Sequence, residues 1–233
     1  MIELGLPLVM AAILALVHFL GEELEEYAGA HKVKIVSLAT GVSVTYIFAQ
    51  LLPEYQRIVA ETGEMAFLAP LIGFSSIHLS EKIIAKKGLS QKKLRKEYSE
   101  IHSAFLLIYH GAIGFLVASL ISESTSTGLL FFLPILFHSA VSSFSFTELH
   151  ENISQRLGVK LTVSLAPIAG VIFHSTGLVS EYLFIPIFGL VTGMFIYVVI
   201  RDSIPDGDEG RPLEFVIGAS IYLLVIIFVQ TMI

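Results

Sequence analysis

"VKIVSLATGVSVTYIFAQLLPEY", residues 33–55, carries an apolar run from Val33 to Phe48 that closes on a glutamine, a proline and a carboxylate. Nearly the same close, "DSIPDG", returns at 202–207. A helix that crosses the hydrocarbon core of a bilayer, about 30 Å thick, needs about 20 mainly apolar residues. The quoted stretch supplies one such span at 33–53, and others lie at 3–20, 65–84, 98–121, 128–149, 158–177, 182–201 and 212–232. Eight spans use nearly all of the 233 residues, so the expected architecture is a single all-α membrane domain over 1–233. Composition agrees: 55% of residues are hydrophobic and only 15% are charged, outside the soluble balance. Strand-like alternation between regular turns is absent, which excludes an outer-membrane barrel.

The opening "MIELG" is acidic, and no small-residue cleavage site follows "HFLGEELEEY", so the first span is expected to be retained rather than removed as a signal peptide. Cysteine is absent. Disulfides and thiolate ligands are therefore excluded, and any metal must be met by imidazole, carboxylate, hydroxyl or carbonyl groups.

Basic residues set the expected orientation. With the N-terminus outside, the inner loops take Lys32 and Lys34, the seven from Lys82 to Lys96, Arg156 and Lys160, and Arg201 and Arg211. Only Arg57 of the fourteen Lys and Arg is left outside, a strong positive-inside bias. Both termini are then outside. The sizeable inner loop, about 85–97, contains "KKGLSQKKLRKEY" and reads as a topology anchor beside anionic lipid, not as a nucleic-acid surface.

The repeated close becomes intelligible in this frame. "GVSVTYIFAQLLPE" (41–54) and "GMFIYVVIRDSIPD" (193–206) share a Gly-to-Pro spacing of twelve and match Gln50 with Asp202, Pro53 with Pro205 and Glu54 with Asp206. The two segments run in opposite directions, so an inverted repeat relating spans 1–3 to 6–8 is expected. Proline frees carbonyls on the preceding turn, and the carboxylates Glu54 and Asp206 would draw a cation to opposite mouths of a path.

These segments, together with "LIGFSSIHLSEKI" (71–83) and "SLAPIAGVI" (164–172), resemble in order and character those of the ZIP (Zrt/Irt-like) divalent metal transporters. The resemblance implies eight spans around a metal path, with ligands on spans 4 and 5 in His-Asn-x-x-Asp-Gly and His-Glu-x-x-His/Glu-Glu patterns. Here "HGAIGF" (110–115) and "HSAVSS" (138–143) retain the leading His110 and His138. Gly111, Gly114, Ser139, Ser142 and Ser143 stand at the remaining ligand positions. The implied site is thus a reduced, His-based one for a Zn, Mn or Fe class cation. At about 1.5 Å per residue, His110 lies about 18 Å from one end of its span and His138 about 15 Å from the opposite end of its own, both near mid-membrane. Ionisable groups at that depth are functional candidates.

Weaker path candidates are Gln50, Glu54, His102, Ser142, Asp202 and Asp206. Ser142 and Ser145 share a helical face with His138, leading towards Glu148, His150 and Glu151. His78 and Glu81 read as an internal tie on span 3. His18 and Glu22 have a ligand-like i, i+4 spacing, but Glu22 and Glu23 read as the start of a solvated acidic loop. His174 is left unassigned between gating, pairing with Glu181 and facing interfacial water.

The leading expectation is a multi-pass carrier in a plasma or inner membrane, with no enzymatic activity and a divalent metal as cargo. The expected partners are the lipid bilayer and a metal ion or small solute; a homodimer is left open. The alternatives are a proton-coupled carrier of a non-metal solute on the same fold, and a non-transporting scaffold or sensor. An intramembrane zinc hydrolase lacks its paired ligands, because no H-x-x-x-H occurs. A retinal protein would need a mid-span lysine.

Overall fold

The computed structural model describes residues 4–86, 91–142, 153–178, 181–203 and 210–232. Among the described residues every regular element is helical. In hydrocarbon each backbone N–H and C=O must find its partner within the protein, and a helix does this within its own segment. The helices are α1 (Gly5–Phe19), α2 (Gly21–Ala28), α3 (Lys32–Tyr46), α4 (Leu52–Thr62) and α5 (Leu68–Lys86), followed by α6 (Gln91–Glu123), α7 (Thr125–Ser142), α8 (Ile153–Ser175), α9 (Glu181–Val198) and α10 (Pro212–Met232). Seven helical stretches are long and apolar enough to cross a membrane, and the shorter α1 is apolar as well. The chain has the make-up of a multi-pass membrane protein.

Three boundaries differ from the sequence reading. The acidic segment after α1 is helical, not an open loop. Leu20 N–H bonds to Leu16 O and Leu24 N–H to Leu20 O, both at 2.8 Å, so α2 follows α1 directly, with only Leu20 (φ -90°, ψ 12°) between them. His18 stands in the last turn of α1, and a second helix follows it where the sequence reading has a loop. The basic segment is also largely helical, since α6 begins at Gln91.

The third difference concerns Pro53. Helical backbone continues through the proline to Thr62, where Gly63 (φ +103°) turns the chain. A π-helical turn at Ile47–Leu51 precedes it, closed by Leu52 N–H on Ile47 O. This wider turn accommodates a residue that has no N–H to give. A second π-helical turn, Val199–Ser203, follows α9, 152 positions after the first. Pro205 and Asp206 lie outside the described residues.

Helices pack in pairs: α3 on α10, α5 on α9, α6 on α8, and α1 on α8. Two of these crossings are built alike. Gly41 of α3 lies against the backbone of Phe215 and Ala219 on α10, where a Cβ would collide with the Phe215 carbonyl, while Gly218 of α10 lies against Leu38 O. Likewise Gly193 of α9 lies against Pro70 and Phe74 of α5, and Gly73 of α5 against Leu190 O. Small residues let membrane helices approach to backbone contact. The α9 positions of the second crossing, Leu190 and Gly193, are Leu38 and Gly41 displaced by the same 152 residues that separate the π turns.

Between the pairs lies an aromatic core. Tyr46 meets Phe131, Phe195 and Tyr222 edge-on, with ring centroids 6.0–6.2 Å apart. The Tyr222 hydroxyl, buried with its ring, donates to Leu130 O at 2.5 Å. α7 enters this core through Phe131, Phe132 and Ile135. Leucines and isoleucines exposed along α1, α5, α8 and α10 form the outer apolar surface, the surface lipid would cover.

Candidate functional site

His110 sits midway along α6 and is almost fully buried. Its Nδ1 lies 2.7 Å from Leu106 O, one turn earlier. A carbonyl only accepts, so Nδ1 carries the hydrogen and the neutral ring presents a lone pair at Nε2. That lone pair faces Nε2 of His18 in the last turn of α1, and the two nitrogens are in direct contact. The rings stand nearly perpendicular, with centroids 3.9 Å apart and planes at 86°. Histidines 92 positions apart thus form an imidazole pair joining α1 to α6.

His138 is buried on α7, edge-on to Phe195 of α9 with centroids 5.2 Å apart. Its helix packs on both α1 and α6, so the three imidazoles stand on helices that converge. Among the described residues no set of three or more His, Asp or Glu side chains is close enough together to hold a metal ion. Buried hydroxyls accompany them. Tyr109 Oη and Ser139 Oγ, each adjacent in sequence to one of the histidines, have no protein hydrogen-bond partner, and the same holds for Ser43, Ser164 and Thr192. An unpaired buried hydroxyl costs about 1–3 kcal/mol unless water or a ligand meets it.

The weaker candidates separate from this centre. Gln50 Oε1 accepts from Gln230 Nε2 on α10 at 3.4 Å. Glu54 is paired with Arg57 at 2.6 Å, and Arg57 reaches Glu123 at the end of α6 at 3.4 Å, so this carboxylate belongs to a surface ion cluster. Ser142 Oγ donates to Ser139 O at 3.3 Å within its own helix. His102 and Asp202 lie on helical backbone, but their side chains are outside the described residues, as are Ser145, Glu148, His150 and Glu151.

Glu81 forms a tie between helices, with Tyr197 and Arg201 as its partners. It accepts from Tyr197 Oη at 2.8 Å and pairs with Arg201 on the second π turn. His78 packs edge-on against the same Tyr197, with centroids 5.8 Å apart. His174 lies edge-on to Phe115 at 5.3 Å, with Nδ1 buried and unpaired.

The residue that sequence reasoning passed over is His18. Its spacing to Glu22 was visible, but the acidic residues after it read as the edge of the membrane. Only the packing of α1 on α6 brings it to His110. Near the pair's end of α1, Lys160 of α8 lies over the Phe19 ring, 5.0 Å from its centroid, and 3.7 Å from Glu23. No protein-family model matches this sequence, and no curated protein matches it.

Proposed function

We propose that this protein is a membrane carrier of ZIP-like architecture that moves a divalent transition-metal cation past His110 and His138. The observation that carries the reading is the packing of α1, α6 and α7 on one another, which buries His110 and His138 and brings His18 into contact with His110, while buried hydroxyls on α6 and α7 have no protein partner. Polar groups are expensive at such depth and are retained where they meet cargo.

The transport reading includes an inverted repeat, and a shared displacement supports it. The two π turns, the paired glycine crossings and the matching polar closes all relate span 2 to span 7 by one displacement. Exchange of spans 1–3 with 6–8 maps the α3–α10 crossing onto α9–α5 and the α1–α8 contact onto itself. In such a carrier one bundle rocks against the other and exposes a central site to each face in turn. With both termini outside, the basic start of α6 is cytoplasmic and the host is a plasma or inner membrane.

A second reading is favoured by one observation: His18 and His110 satisfy each other, and no third acidic or imidazole side chain joins them among the described residues. On that reading the cargo is a non-metal solute. The deciding experiment reconstitutes the purified protein in liposomes loaded with a metal-sensitive dye. Zn2+ uptake that falls about tenfold or more in His110→Ala and His138→Ala supports the cation carrier. No uptake of Zn2+, Fe2+ or Mn2+ by the wild type overturns it.

A further inference from the structure

We propose that His18 is a cargo ligand, and that His18 and His110 together form the primary cation-holding pair. This rests on the carrier reading and narrows its cargo to imidazole-preferring late transition cations. Sequence and resemblance put the leading ligands on spans 4 and 5, with weaker candidates on spans 2 and 7; the geometry adds span 1.

Three features of the pair are those of a ligand set. The two Nε2 atoms meet each other, so both ring nitrogens are held together between α1 and α6. The Nδ1 of His110 is held by Leu106 O, the outer-shell contact that usually orients a metal-bound imidazole and fixes its tautomer. The pair also joins two helices that lie far apart in sequence and both pack on α8, so relative movement of α1 and α6 would open or close it.

In the closed pair His18 carries its hydrogen on Nε2 and donates to His110. To bind a cation, His18 must carry that hydrogen on Nδ1 instead, which leaves both rings neutral and changes no net proton count. With Zn–N bonds of about 2.0–2.1 Å, tetrahedral ligand nitrogens lie about 3.3 Å apart, so the rings must also swing outward from contact. Water is available for the remaining positions. A site of neutral imidazoles without a carboxylate favours Zn2+, Ni2+ and Cu2+ over Mn2+, Mg2+ and Ca2+, which prefer oxygen.

The test is titration of the detergent-purified full-length protein with Zn2+ and, separately, Mn2+, read as bound metal per chain by elemental analysis. Wild type should bind one Zn2+ per chain and Mn2+ about tenfold more weakly or worse. His18→Ala should weaken Zn2+ binding as much as His110→Ala does, about tenfold or more, while monodispersity in size-exclusion chromatography confirms folding. His18→Asp keeps a ligand but exchanges nitrogen for oxygen, so it should restore binding with the preference moved towards Mn2+. A purely structural His18 would give no such shift in preference. Unchanged Zn2+ affinity in His18→Ala, equal Zn2+ and Mn2+ affinity in wild type, or no binding by wild type would each overturn the assignment. Liposome flux separates this from the broader reading. Flux untouched by His18→Ala removes the ligand and leaves the carrier, whereas Zn2+ held by the pair without any flux removes the carrier and leaves the site.

Discussion

Tyr197 shows how one residue can tie two elements in a membrane. Its hydroxyl donates to Glu81, whose other oxygen meets Arg201, so a carboxylate that is costly in an apolar setting has both oxygens occupied. A hydrogen bond to a charged group contributes about 1.5–3 kcal/mol, and stranding one member of a buried ion pair costs about 3–5 kcal/mol. Arg201 is about one-third exposed, which moderates the second figure. Tyr197→Phe should therefore lower the melting temperature modestly and Glu81→Ala more, both read by thermal unfolding in detergent, with Zn2+ affinity at the distant histidines unchanged. A loss of Zn2+ binding in Tyr197→Phe would show that this cluster belongs to the path.

The decisive elements are the glycine crossings. At Gly41 and Gly193 a Cβ would press on a carbonyl of the facing helix, and backbone there cannot yield without separating the pair. Gly41→Leu and Gly193→Leu should each destabilise by about 1–3 kcal/mol or more, as overpacking does, and to similar degrees if the two crossings are equivalent. Thermal unfolding of the two variants side by side checks this. Gly158 on α8 is a control, because nothing lies within 4 Å of its added Cβ. Gly158→Ala should stabilise by up to about 1 kcal/mol through helix propensity alone. These crossings also explain why Pro53 misled the boundary reading: glycine and proline mark helix ends in water, but in a membrane bundle neighbouring helices and π turns accommodate them.

For the whole molecule the open quantity is orientation. The chain has no cysteine, so single cysteines can be introduced without removing any. Lys92→Cys and Arg211→Cys should react with a membrane-impermeant maleimide only from the cytoplasmic side, and Glu64→Cys and Gly177→Cys only from the opposite side. Labelling of Lys92→Cys and Gly177→Cys from the same side would break the inverted arrangement and the transport reading that leans on it.

Membrane class, helical fold, the approximate position of the spans and the repeated polar close were all determined by sequence. Apolar length and the need to satisfy every backbone group leave few alternatives in lipid. The resemblance picked out His110 and His138, and depth arithmetic put both near mid-span; the structure buries both. The tertiary structure alone decided which residues meet. It set a second helix directly after α1, took Glu54 into a surface ion cluster and brought His18 to His110 across 92 positions. Sequence spacing reports neighbours along one helix, whereas a site between helices depends on how each turns about its axis, and packing sets that rotation.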